Sequence, residues 1–136
     1  PQGENMKRTD EHDFLWCVFV TAMEGGINYW CGVNSYRPGR DPDEGGRTSK
    51  QVCDYENFRA EVECCYDEVS PDGCYLVNAG VIKSGIKALR SGKAKVNSRI
   101  LGWIVEGDNE NDAGNIDADA ADCIVQAGLF GEIVYG

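Results

Sequence analysis

The chain has 136 residues and a net charge of −10 at neutral pH, with 42% hydrophobic and 26% charged residues. That is material for one globular domain with a single core. No apolar run approaches the roughly 20 residues of a membrane span, so a soluble, cytoplasmic protein without a membrane partner is expected. The charge is unevenly laid out: residues 73–105 carry six cations and no acid, leaving −16 on the rest. Such a surface repels a polyanion, which disfavours double-stranded DNA as a partner.

Residues 1–10 are set apart as a disordered or tag-derived segment, and 11–136 as a single α+β domain. The apolar stretch 14–23 admits two readings. Asp13 can cap a helix that Gly25-Gly26 closes. The alternation of Phe14, Trp16, Val18 and Val20, with frequent β-branched residues, favours a strand or a mixed element. Residues 27–36 are β-branched and aromatic between glycines, and predict a strand. Residues 37–50, with two prolines and three glycines, predict a loop.

In 60–69, Val62, Cys64 and Tyr66 alternate with Glu61, Glu63 and Cys65, the pattern of a half-exposed strand. Pro71 and Gly73 suit a hairpin turn, and 74–78 returns as its partner. Asn78 can cap a helix from Ala79 to about Arg90. Its apolar stripe is Ile82, Ile86 and Leu89, and Lys83, Lys87 and Arg90 repeat the spacing one residue on as a basic ridge. Ser98 can cap a second helix over Ile100, Leu101, Ile104 and Val105. The acidic loop 106–122 runs into a third helix, roughly 119–130, with Ala121, Ile124, Val125 and Gly128 inward. Residues 132–136 predict a short closing strand. The order implies an α+β fold: a small antiparallel sheet with about three helices packed on one side.

Few patterns carry chemistry. Seven cysteines include no Cys-x-x-Cys, and His12 is the sole histidine. Reduced thiols buried as small hydrophobes are expected, and neither zinc nor any other cofactor is. With one histidine, a Ser-His or Cys-His nucleophile is not expected either. Counted from Asp108, a calcium loop fails at its sixth position, Ala113, and its twelfth, Asp119. "RSGKAK" (90–95) resembles the end of a phosphate-binding loop, but Ala94 stands where Ser or Thr is needed, and the preceding glycine is misplaced.

Two cationic groups remain. Arg37, Arg40 and Arg47 follow the Tyr29-Trp30 pair, an arrangement that suits a nucleotide: a base stacks on the aromatic ring and guanidinium forks take phosphate. The ridge Lys83, Lys87 and Arg90 is the other. Gly25-Gly26 is expected to turn the chain so that Asn28-Tyr29-Trp30 approaches the segment of Tyr135. Glu24, Asn28 and Tyr29 would be the polar contributors to a pocket there.

"TAMEGGINYW" (21–30) and "DAGNIDADAADCIVQAGLFGEIVYG" (112–136) resemble the two signature blocks of a family of small, largely uncharacterised accessory proteins of tailed phages, especially those of actinobacterial hosts. The resemblance implies a phage accessory product acting in the host cytoplasm, not a virion part or a replication enzyme. By context, it implies counter-defence. Three functions follow for testing. The first is a non-enzymatic, homo-oligomeric protein that sequesters a small phosphorylated or nucleotide-type ligand. The second is an acidic inhibitor or DNA mimic that binds a host protein. The third is a metal-dependent nucleotide-processing enzyme using Glu24, Asp117, Asp119 and Asp122.

Overall fold

A computed structural model describes residues 2–39, 54–64 and 73–136, with side chains from residue 11 onward. Helix α1 spans Gln2–Thr21, so it begins inside the segment set apart on sequence grounds. The strand favoured for 14–23 is therefore corrected to helix. Phe14, Leu15, Val18, Phe19, Ala22 and Met23 are all buried, while Trp16 and Val20 are only half-buried. Pairs of apolar neighbours recurring every four residues make a stripe on one side of a helix. The alternation of β-branched residues is incidental to that stripe.

The helix widens into a π-helical turn, Ala22–Gly26, closed by Ile27 N–H donating to the Ala22 carbonyl (3.1 Å). The Ile27 carbonyl then accepts from both Trp30 and Cys31 (3.1 Å each). That turn keeps 27–30 out of the sheet, so strand β1 is Cys31–Arg37, shorter than predicted.

Strands β2 (Arg59–Cys64) and β3 (Cys74–Asn78) complete a three-stranded antiparallel sheet in the order β1-β2-β3. Cys31, Val33 and Tyr36 stand opposite Cys64, Val62 and Ala60, with a register shift between Val33 and Ser35. Val62, Cys64, Ala60 and Val77 face the helices and are buried, whereas Glu61, Glu63 and Leu76 lie exposed on the open face. Cys74 is also exposed there, contrary to the expectation of core thiols. Residues 65–72, with all but Gly73 of the predicted hairpin turn at 70–73, lie outside the described residues, as do Arg40, Arg47 and most of the predicted loop.

Helix α2 (Ala79–Ser91) matches its prediction. Asn78 Oδ1 accepts from Val81 N–H, and Gly92, at φ 83°, ends it in the left-handed conformation. Helix α3 (Ser98–Glu110) is capped by Asn97, not Ser98, because the Asn97 side chain accepts from Ile100 N–H (2.9 Å). Its last turns absorb 106–110, which the sequence reading assigned to the acidic loop. Helix α4 (Ala118–Phe130) starts at Asp117, whose side chain accepts from Ala120 N–H (2.9 Å).

Helix α4 is the centre of the molecule. It is buried on nearly every side, at Ala120, Ala121, Asp122, Ile124, Val125, Gln126 and Ala127. It meets α2 backbone to backbone: a Cβ at Gly85 would lie 1.9 Å from the Ile124 carbonyl oxygen, and one at Gly128 2.2 Å from that of Val81. The tail 131–136 forms no strand, which corrects the predicted closing strand. Among the described residues, no helix is long and apolar enough to cross a membrane.

Candidate functional site

The Tyr-Trp segment and the C-terminal segment meet in space through a buried polar knot. Trp30 is fully buried; its Nε1–H donates to Asp122 Oδ1 (2.8 Å). The Tyr29 hydroxyl donates to Asp122 Oδ2 (2.6 Å). Gln126, one helical turn on from Asp122 and also fully buried, serves both neighbours. Its Nε2 donates to Asp122 Oδ1 (2.9 Å) and to the Tyr135 carbonyl (3.0 Å). Its Oε1 accepts from the backbone N–H groups of Val134 and Tyr135 (2.8 Å each). The Tyr135 ring stacks on Trp30 at 5.0 Å between centroids.

One side chain therefore supplies the hydrogen bonds that a closing strand would have made. Burial, and then the Asp122 carboxylate, push the Tyr29 phenol above its ordinary range. Gly26 lets the turn sit against α4, since a Cβ there would meet the Ala118 carbonyl oxygen at 2.6 Å. This knot is a latch. Trp30 offers no face to a ligand, which corrects its assignment as a stacking platform.

The other candidates separate. Glu24 accepts from the Tyr36 hydroxyl (2.7 Å) on the exposed rim. Asn28 is exposed, and Tyr29 is half-exposed, but its hydroxyl is committed to Asp122. Arg37 is exposed at the end of β1, opposite Arg59. Arg40 and Arg47 lie outside the described residues. The acids named for metal chemistry do not assemble either. Asp117 caps α4, and Asp122 is spent in the latch. Among the described residues, no group of three or more His, Cys, Asp or Glu is arranged to hold a metal ion. His12 Nε2 meets the Tyr55 carbonyl (2.7 Å), and burial lowers the pKa of its ring. The Cys123 thiol is pushed up to about 11, first by burial and then by Asp122.

The basic ridge is different. Lys83, Lys87 and Arg90 rim a groove of about 470 Å³ between α1 and α2, floored by Phe14, Leu15 and Ile86. Seven residues of helix spread these cations over about 10 Å. Lys83 pairs with Glu11 (3.3 Å), and Arg90 donates to Asp108 (2.6 Å) and Asn109 (2.9 Å). Among the described residues, Lys87 has no ion pair. Compared with protein-family models, curated proteins and solved structures, the chain matches none.

The groove can take an anion with an apolar body. Its ion pairs are exposed, and such pairs contribute only about 0–1 kcal/mol, so a doubly charged phosphate can displace the carboxylates. Sequence reasoning found the ridge but missed Glu11, Phe14, Leu15 and Asp108. Three of these come from α1, and a helical reading of 14–23 would have placed Phe14 and Leu15 side by side with Glu11 one turn before. It also missed Gln126, although its spacing of four from Asp122 puts both on one side of α4.

Proposed function

We propose that the chain is a non-enzymatic phage accessory protein that binds a small phosphorylated or nucleotide-type ligand in the α1–α2 groove and acts by sequestering it. The observation that carries this reading is the convergence of Lys83, Lys87 and Arg90 over an apolar floor in an otherwise acidic chain. Cations hold the phosphate, and the floor takes the base or other apolar part. The phage context rests on the resemblance of the two blocks.

The test is a panel of mono- and dinucleotides, cyclic dinucleotides, cyclic trinucleotides and cyclic ADP-ribose isomers, followed by melting temperature. A ligand that binds only the folded state adds about 2.7 kcal/mol of stability at a hundredfold excess over Kd, which a melting curve resolves. The expected result is a rise for at least one member, with the ligand recovered unchanged. Lys87→Ala should weaken that binding about tenfold or more, the loss of one charge-assisted hydrogen bond. Chemically altered ligand would make the protein an enzyme.

An acidic inhibitor is the second reading, favoured by the exposed Glu106, Glu110, Asp112 and Asp119 around the junction of α3 and α4. Neutralising Glu110 and Asp112 would then abolish capture of a host protein and leave the nucleotide response intact.

A further inference from the structure

We propose that Cys31 and Cys64 form a redox modification site, a thiol pair that a small-molecule disulfide of the glutathione type converts to a cross-strand disulfide. The two residues are direct partners across β1 and β2, so both side chains lie on the helix-facing side of the sheet. Their backbone hydrogen bonds show which kind of pair they make. Cys64 N–H donates to the Gly73 carbonyl, away from β1, and Cys31 N–H donates to the Ile27 carbonyl. Neither N–H is given to the other residue, so this is a non-hydrogen-bonded pair. Such pairs hold their Cα atoms about 4.5 Å apart. That lies within the roughly 4.4–6.8 Å a disulfide spans.

Both sulfurs are buried, Cys31 at 2% and Cys64 at 7% exposure, so the exchange requires local opening. Cys31 is the first residue of β1, and at the start of a strand such opening costs least. The Cys64 sulfur also lies 2.9 Å from the Tyr135 hydroxyl, placing it against the latched tail. Cys74, by contrast, projects from the open face beside Glu63.

The chemistry balances in two exchanges. Cys64, as thiolate, attacks one sulfur of the small disulfide; that S–S bond breaks, and the departing thiolate takes up the proton Cys64 gave. Cys31, deprotonated in turn, attacks the Cys64 sulfur and releases the second small thiol. Two protein thiols are oxidised, and one small disulfide is reduced to two thiols. The cross-link closes the loop from 31 to 64, which contains Arg40 and Arg47.

The test uses the full chain incubated with oxidised glutathione, alkylated, digested without reduction and analysed by mass spectrometry. The expected product is a Cys31–Cys64 linked peptide. It should be accompanied by a rise in melting temperature on the order of 10 °C, reversed by dithiothreitol, because the bond restricts the unfolded chain over a long loop. Cys31→Ala should lose both effects. Should that variant fail to fold, the wild-type peptide map decides alone. Stable glutathione adducts on Cys64, a cross-link between other cysteines, or unmodified thiols at these two positions would each overturn the proposal.

Discussion

Replacing Gly85 with alanine should lower the melting temperature by several degrees, although the same change in an ordinary helix raises stability. Alanine is favoured over glycine in a helix interior by about 1 kcal/mol, through backbone entropy. Gly85 is different because its added Cβ would lie 1.9 Å from the Ile124 carbonyl oxygen. The Cβ position is fixed by the backbone of α2 and the oxygen belongs to the backbone of α4, so no rotamer change relieves the clash. Helices α2 and α4 must part, and the buried contacts of Ile82, Ile86 and Leu89 loosen with them. Overpacking of this kind costs about 1–3 kcal/mol or more. Each kcal/mol moves a domain of this size by about 4 °C. Gly102→Ala is the control. It lies exposed in α3 with nothing within 4 Å of its added Cβ, so it should gain stability. Thermal melts of the two variants beside wild type decide the matter, and equal effects would show that the backbone contact between α2 and α4 is not limiting.

The second large effect belongs to Gln126. Alanine there leaves the N–H groups of Val134 and Tyr135 without their acceptor and removes one donor to buried Asp122. Each buried polar group left unsatisfied costs about 1–3 kcal/mol, so a total near 4 kcal/mol is expected. The damage should be local as well as global, with residues 131–136 removed faster by carboxypeptidase. Gln126→Glu separates hydrogen bonding from packing. It would set a second carboxylate beside Asp122 in a buried site, and burial and the like charge raise the pKa of the new group above its unfolded value. The variant should then be much less stable than wild type at pH 7, and the gap should narrow as pH falls towards 4–5, where the new carboxyl binds its proton in the fold. A gap independent of pH would mean that the cost is one of packing.

Much of the architecture was legible locally. Helix α2 announces itself through Asn78 as cap, the stripe Ile82-Ile86-Leu89 and Gly92 as stop, all within one short stretch. The β2 pattern of Val62 and Cys64 inward, Glu61 and Glu63 outward, is equally local. What failed was decided by distant partners. The choice between helix and strand for 14–23 turned on whether Leu15 and Phe19 or Trp16 and Val20 face the core, and short apolar runs satisfy both periods. The tail looks like a strand, but Gln126 takes the backbone groups that pairing would have used. The approach of Trp30 to the Tyr135 segment was expected, but its full enclosure was not, because nothing near Trp30 in sequence points to Asp122. The ridge of the candidate site was visible in the spacing of Lys83, Lys87 and Arg90. Its floor was not, because Phe14 and Leu15, two of its three residues, come from α1.

The most direct measurement is an amide NMR map of the isotope-labelled protein titrated with the nucleotide panel. Sequestration in the groove predicts saturable shifts concentrated on residues 83–91 of α2 and on Phe14 and Leu15 of α1, reduced in Lys87→Ala. Shifts centred instead on Tyr29 and Tyr36, or on the carboxylates of 106–119, would contradict the groove as the binding site. An unchanged spectrum across the whole panel would contradict nucleotide sequestration itself.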